Sequence, residues 1–269
     1  MSLMSESLAH LPPNPPEYRY EGMQQLTHGY VVITDIQPDA LAANEERFPG
    51  GKDYFLRVHK LILKTLSEPH ETAAEEFTSA LLLAIQMGGV HRRISRRGAT
   101  HTNTPTRIKQ PDRSWAPAYR PGESHRKWPT VMLEVGYSET GAKLERDITW
   151  WINGSAGQVR QGITIDIKPS SKNIYISSWV PARPYVAPKP GRNGRVSASS
   201  KESLLPLRCL KRINIIPGQD DQPPRVEGGD LIVQFRNLLL EDPGPGEGDF
   251  VLTRDELLDI AEPVWTAMN

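Results

Sequence analysis

The chain has 269 residues, 38% of them hydrophobic and 24% charged, with 24 prolines and a formal net charge of zero. That balance supports a folded centre with irregular, proline-rich loops. It excludes recruitment of nucleic acid or membrane by a global field, so any such affinity rests on a local patch. A single cysteine, Cys209, excludes an internal disulfide and a cysteine-type zinc site, and it suits a reducing intracellular compartment, cytoplasm or nucleus.

In chain order, residues 1–20 carry no basic and apolar pattern of a leader and read as a flexible tail. No apolar run approaches the roughly 18 residues that span a bilayer. "GYVVITDI" (29–36) is β-branched and predicts a strand. "GGKDYFLRVHKLILKTL" (50–66) predicts a helix, because Phe55, Val58, Ile62 and Leu66 recur at helical spacing. "HETAAEEFTSALLLAIQMGG" (70–89) is a stronger helix, acidic at its start and closed by Gly88-Gly89. Strand-like stretches follow at 90–95 and 106–109.

"TVMLEVGYS" (130–138) predicts a strand and "GAKLERDITWWING" (141–154) a helix buried along Leu144, Ile148, Trp151 and Ile152. "QGITIDI" (161–167) and "NIYISSWV" (173–180) predict a hairpin. Residues 181–203, rich in Pro, Gly, Ser and basic side chains, read as a disordered linker. After it come predicted strands at 210–216 and 230–240, then a closing helix at 253–265 with Thr253 and Glu256 as a capping box. The domain reading is a core over 21–180 and a C-terminal portion, 204–269, of strands and helix packing on it.

Pro111-Asp112, followed by Glu134 inside an apolar strand, then a helix and another strand, resembles the PD-(D/E)XK superfamily, the restriction-endonuclease-like fold. The likeness covers roughly residues 70–180. The wording "QPDRSWAP…KWPTVMLEVGYSET…KLERDITWWING", with "GGDLIVQFRNLLL…FVLTRDELLDIAEPVW", is similar to a fungal group with this nuclease-like core. The resemblance implies an α/β protein: a mixed sheet flanked by helices, with additional C-terminal strands and helix. It implies cleavage of DNA or RNA phosphodiesters with Mg2+ or Mn2+ held by Asp112 and Glu134. An acid from the first core helix, Glu76, is a further candidate.

The superfamily's lysine normally stands two residues after the second acid. That position is Gly136 here, and the nearest replacement is Lys143 at the start of the following helix. The alternative function is therefore a catalytically silent binding or scaffold module on the same fold. Each residue also has a plainer reading. Asp112 fits a turn. Glu134 fits an exposed strand end or an arginine partner. Glu76 fits a solvated first-turn residue, and Lys143 with Asp147 fits a helix-surface ion pair. Arg92, Arg93, Arg96 and Arg97, with Arg126 and Lys127 in the loop between the acids, are candidate phosphate contacts, because arginine forks match phosphate oxygens. Trp128, Trp150 and Trp151 read as core rather than as base-stacking platforms.

Overall fold

The structure is a computed structural model that describes residues 24–26, 30–33, 51–55, 60–64, 67–100, 102–104, 107–120, 128–137, 141–183, 206–219 and 221–269. The expected tail and residues 184–203 of the expected linker lie outside these, as do Arg126 and Lys127.

Among the described residues, the first elements are the strands β1 (Gln24–Leu26), β2 (Tyr30–Ile33), β3 (Gly51–Phe55) and β4 (Lys60–Lys64). Then follow α1 (Glu68–Met87), a 3-10 turn (His91–Arg93), β5 (Ile94–Arg96), β6 (Thr102–Asn103), β7 (Arg107–Lys109), β8 (Arg113–Pro117) and β9 (Val131–Tyr137). Next are α2 (Gly141–Gly154), β10 (Gln161–Ile167), β11 (Ile174–Pro181) and β12 (Leu207–Ile216). The chain closes with β13 (Arg225–Glu227), β14 (Leu231–Val233), α3 (Phe235–Leu239), β15 (Phe250–Leu252) and α4 (Arg254–Ala267).

Two compact units emerge: Met1–Thr65 with Asn103–Lys109, and Leu66–Thr102 with Gln110–Asn269. The first is built on a sheet of order β1-β2-β4-β3-β7-β6. It overturns the helix expected over 50–66. That stretch is an antiparallel pair, with Gly51 opposite Lys64 and Phe55 opposite Lys60. A short apolar run satisfies both periods, and here pairing on both flanks decided for strand: β4 is bracketed by β2 and β3.

The second unit is a seven-stranded sheet of order β13-β12-β11-β10-β9-β8-β5. Within it, β8 and β9 are antiparallel, while β9 and β10 run parallel and are joined through α2. Parallel neighbours need such a crossover, and a helix is its usual form. Helix, antiparallel strands, crossover helix and parallel strand form the mixed α/β arrangement that the sequence predicts.

Alternation along β9 divides the interior in two. Val131, Leu133 and Val135 join the cluster filled by Phe77 and Leu81 of α1 and by Leu257 and Ile260 of α4. Met132 faces the other way, to Ile148, Trp151 and Ile152 of α2. Both faces of β9 are therefore covered, as its continuous apolar run requires. On the α2 side the packing needs a glycine. A Cβ on Gly162 of β10 would lie 2.9 Å from Ile148 Cδ1.

Two further expectations change in detail. The strand read over 230–240 is a strand only for Leu231–Val233. Phe235, Leu238 and Leu239 then bury at helical spacing in α3. The stretch 90–95 opens with the 3-10 turn before β5 begins. The capping box of α4 forms as read, with Thr253 Oγ1 accepting from the Glu256 amide. Among the described residues, no helix is long and apolar enough to cross a membrane.

Candidate active site

Asp112 immediately precedes β8, and Glu134 sits midway along β9. The register pairs Arg113 with Leu133 and Ser114 with Met132, so its next step sets Asp112 against Glu134. Two bonds hold this corner. The Asp112 amide donates to the Leu133 carbonyl at 3.1 Å, and the Val135 amide donates to Asp112 Oδ2 at 2.6 Å. Asp112 is thus more than a turn residue. Both side chains are nearly closed off, at 7% and 3% exposure.

The two carboxylates have different partners, Asp112 on α1 and Glu134 on α2. Asp112 Oδ2 lies 3.2 Å from His70 Nε2, on the first turn of α1. The other ring nitrogen of His70 lies 3.0 Å from Glu71 Oε1. Arg113 continues the chain, with Nη2 at 3.4 Å from Glu71 Oε2 and a second pair to Glu75. His70, whose side chain is itself 2% exposed, takes its place because Ser67 and Pro69 start the helix there. The hydrogen bond to His70, helped by the charges of His70 and Arg113, holds the Glu71 carboxyl below its ordinary range against the opposing effect of burial. Burial pulls Arg113 down, but Glu75 and Glu71 outweigh it and hold the guanidinium above its ordinary value.

Glu134 belongs to the α2 face. Trp151 Nε1 donates to its Oε1 at 2.6 Å, in a pocket where Trp151 has no exposure. The buried carboxylate is therefore met by an indole. Trp128 and Trp151 are core, stacked edge-on at 5.9 Å, as the sequence suggests.

Lys143 pairs with Asp147, its Nζ 3.1 Å from Oδ2. Asp147 is 8% exposed, so this is not the open helix-surface pair that spacing alone describes. Glu76 lies further along α1 and is half-buried; the residues of that helix that reach the Asp112 corner are His70 and, through it, Glu71.

The arginine run splits. Arg93 is engaged with Glu241 and Glu247 and lies over the Phe235 ring at 5.6 Å. Arg92 and Arg96 are exposed, and Arg97 is half-buried, its amide bonded to the Ser114 carbonyl at 2.8 Å. Sequence reading passed over Arg120, which is buried and donates to the Trp128 carbonyl at 2.9 Å. Burial, then the like charges of Arg97 and Arg160, push Arg120 down to about 10. It stays charged at neutral pH.

Sequence reading also missed His70 and Trp151 as partners of the acids. A histidine in a first helical turn and a tryptophan on a buried stripe are common core residues, and only tertiary placement gives them these roles. Among the described residues, no three His, Cys, Asp or Glu side chains gather into a metal-holding group. The fit that remains is to a hard cation held by few protein oxygens. Magnesium takes one or two carboxylates and completes its shell with water and phosphate oxygens.

No family model matches the chain, and no curated protein matches it. A solved structure from Anabaena variabilis, described as a "putative nuclease belonging to DUF820", is similar over 50% of this chain and 76% of its own. It shares 12% identity at a TM-score of 0.34. A likeness this slight leaves the fold to rest on the strand order and crossover described above.

Proposed function

We propose that the protein is a Mg2+- or Mn2+-dependent nuclease that cleaves DNA or RNA phosphodiesters, with Asp112 and Glu134 as the metal-binding carboxylates. The observation that carries this reading is the Val135–Asp112 bond at 2.6 Å, which locks Asp112 to the residue following Glu134. Two hard-oxygen donors on neighbouring strands suit magnesium. When bound, a divalent ion would neutralise phosphate charge and acidify water. The chain's own residues do the rest. Trp151 fixes the orientation of Glu134, His70 and the Val135 amide fix Asp112, and Lys143 orients the attacking water. Arg92, Arg96 and Arg97 remain candidate contacts to phosphates on the substrate, and Arg126 and Lys127 are carried with them from the sequence. Glu76 is kept as a candidate additional acid.

A second reading, a catalytically silent binding module, is favoured by the same bonds. Asp112 Oδ2 and Glu134 Oε1 are both engaged by protein groups, and the lysine position is Gly136. The two readings separate on Glu134→Gln. In the nuclease, calorimetric Mn2+ binding and cleavage of single- and double-stranded DNA and RNA are both lost, with the fold retained. Cleavage that survives in Glu134→Gln, or wild-type protein that neither binds Mn2+ nor cleaves, overturns the nuclease reading.

A further inference from the structure

Three arginines are brought together where β5, β8, β9 and β10 lie side by side. Arg97 follows β5, and its amide donates to the Ser114 carbonyl of β8 at 2.8 Å. Ser114 Oγ donates in turn to the Gly98 carbonyl at 2.9 Å, so the chain around Arg97 is held to β8 by two bonds. Arg160 precedes β10, and its amide donates to the Thr130 carbonyl at 2.8 Å. The Thr130 amide is tied to β8 through the Trp115 carbonyl at 2.9 Å. Arg120 follows β8 and reaches back, its Nη1 donating to the Trp128 carbonyl at 2.9 Å.

The charges of this cluster are all of one sign. Arg120 is buried, while Arg97 and Arg160 are half-buried and leave the cluster open to solvent. Burial, then the charges of Arg97 and Arg160, lower Arg120, so its surroundings on balance oppose the charge it carries. Burial also lowers Arg97, whose guanidinium makes no hydrogen bond or ion pair among the described residues. Cations drawn together and partly desolvated are stabilised by an anion placed among them. Guanidinium forks match the oxygens of a phosphate. The place is also right for a strand of nucleic acid. Ser114 is the register partner of Met132, two residues from Glu134 along β9, and Thr130 is four residues from it. These steps span about 7 and 13 Å. A stacked strand carries one phosphate per roughly 3.4 Å of axis, so the cluster lies about two to four nucleotides from a bond cleaved at Glu134.

We propose that Arg97, Arg120 and Arg160 form a phosphate-binding site that holds the nucleic-acid strand a few nucleotides away from the bond that is cleaved. The site stands on its own geometry and charge; its role as the anchor of the cleaved strand rests on the nuclease reading. Arg120 supplies the fixed charge at its floor, and Arg97 supplies the guanidinium that is free to close on the ligand. The ligand is a phosphate group, either a phosphodiester within the strand or a phosphate at its end.

The experiment uses the full chain with EDTA present, so that neither metal binding nor cleavage enters. Wild type is compared with Arg97→Ala, Arg97→Lys and Arg160→Ala. Inorganic phosphate, set against chloride at equal ionic strength, is read by its effect on Tm. Labelled single-stranded oligonucleotides with and without a 5′-phosphate are read by anisotropy over about 50–200 mM salt. Phosphate is expected to raise the Tm of wild type and not that of Arg97→Ala. Arg97→Ala and Arg160→Ala are each expected to bind the oligonucleotide about tenfold more weakly or worse, and to reduce the salt slope by about one. Arg97→Lys should keep the slope and lose part of the affinity, because an ammonium keeps the charge without the fork. Without phosphate, Arg97→Ala should be at least as stable as wild type, since it removes a like charge and breaks no bond. Wild-type preference for the 5′-phosphorylated strand, lost in Arg97→Ala, assigns the site to a terminal phosphate; equal binding of both strands, weakened equally by Arg97→Ala, assigns it to a phosphodiester. Arg97→Ala and Arg160→Ala proteins with wild-type affinity and salt slope overturn the inference, and so does an Arg97→Ala protein whose Tm falls without phosphate. Neither result touches the metal site, which stands or falls on Mn2+ binding and its loss in Glu134→Gln. Oligonucleotide binding that shows these losses, in a protein that neither binds Mn2+ nor cleaves, upholds the phosphate site and overturns the nuclease reading.

Discussion

Asp112 and Glu134 are neighbours across two strands, yet their surroundings differ in kind. On the α1 side Asp112 enters a chain of charged or titratable groups, from His70 to Glu71 and on to Arg113 and Glu75. On the α2 side Glu134 meets a neutral indole in a pocket of tryptophans and aliphatic residues. The first environment is built from long-range charge, part of it exposed, and responds to pH and salt. The second is built from shape, and responds to volume. One sheet therefore holds two acids by two different physical means.

The largest effect is expected on the α2 side, at Trp151. Trp151→Ala should cost about 3–5 kcal/mol, the usual range for deleting a buried aromatic. Trp151→Phe keeps most of the packing but leaves Glu134 without its indole donor, and should cost about 1–3 kcal/mol. Chemical denaturation of both variants measures the difference. Equal costs would show that the lost volume contributes nothing and that the indole N–H carries the whole effect, whereas a Trp151→Phe protein as stable as wild type would show that the N–H contributes nothing at Glu134. Next in size is Gly162→Ala, which forces a methyl to within 2.9 Å of Ile148 Cδ1. Overpacking of this kind costs about 1–3 kcal/mol. It should leave the salt dependence of stability as it is in wild type, so a changed salt dependence in Gly162→Ala would break the contrast between the two surroundings.

The sequence carried the α2 side better than the α1 side. Leu144, Ile148, Trp151 and Ile152 announce a helix with one buried stripe, and β9 announces a strand covered on both faces. The acids themselves were legible because a carboxylate in an apolar run and a Pro-Asp pair stand out. Their partners were not. His70 lies 42 residues before Asp112 in the chain, and nothing local marks it as anything but a first-turn histidine. Asp147 was visible as a partner for Lys143 at four-residue spacing, but spacing is the same for exposed and buried pairs. The failed helix over 50–66 has the same root. Helical and strand periods coincide over short runs, and the pairing of β4 with strands on both sides is information that the run does not contain.

The smallest expected effect, on the α1 side, is the one that shows its electrostatic character. Glu71 has its folded-state pKa depressed, first by the His70 hydrogen bond and then by the nearby charges. A depressed carboxyl binds fewer protons folded than unfolded over the interval between the two values. Its contribution is therefore present above the unfolded value, near pH 4.5, and is lost as pH falls through the lower folded value. The Glu71 side chain is 39% exposed, so solvent screening limits the contribution to about 0.5 kcal/mol. Glu71→Gln should lower stability by that amount at pH 6–7, and the gap to wild type should close below about pH 4.5. It should narrow in 1 M salt as well, since half-exposed pairs are screened. Trp151→Phe, by contrast, should keep its deficit in high salt, because the group it deprives is buried and its donor was neutral. If the Glu71→Gln gap stays constant across pH and salt while the Trp151→Phe gap varies with salt, the two environments have been assigned to the wrong faces.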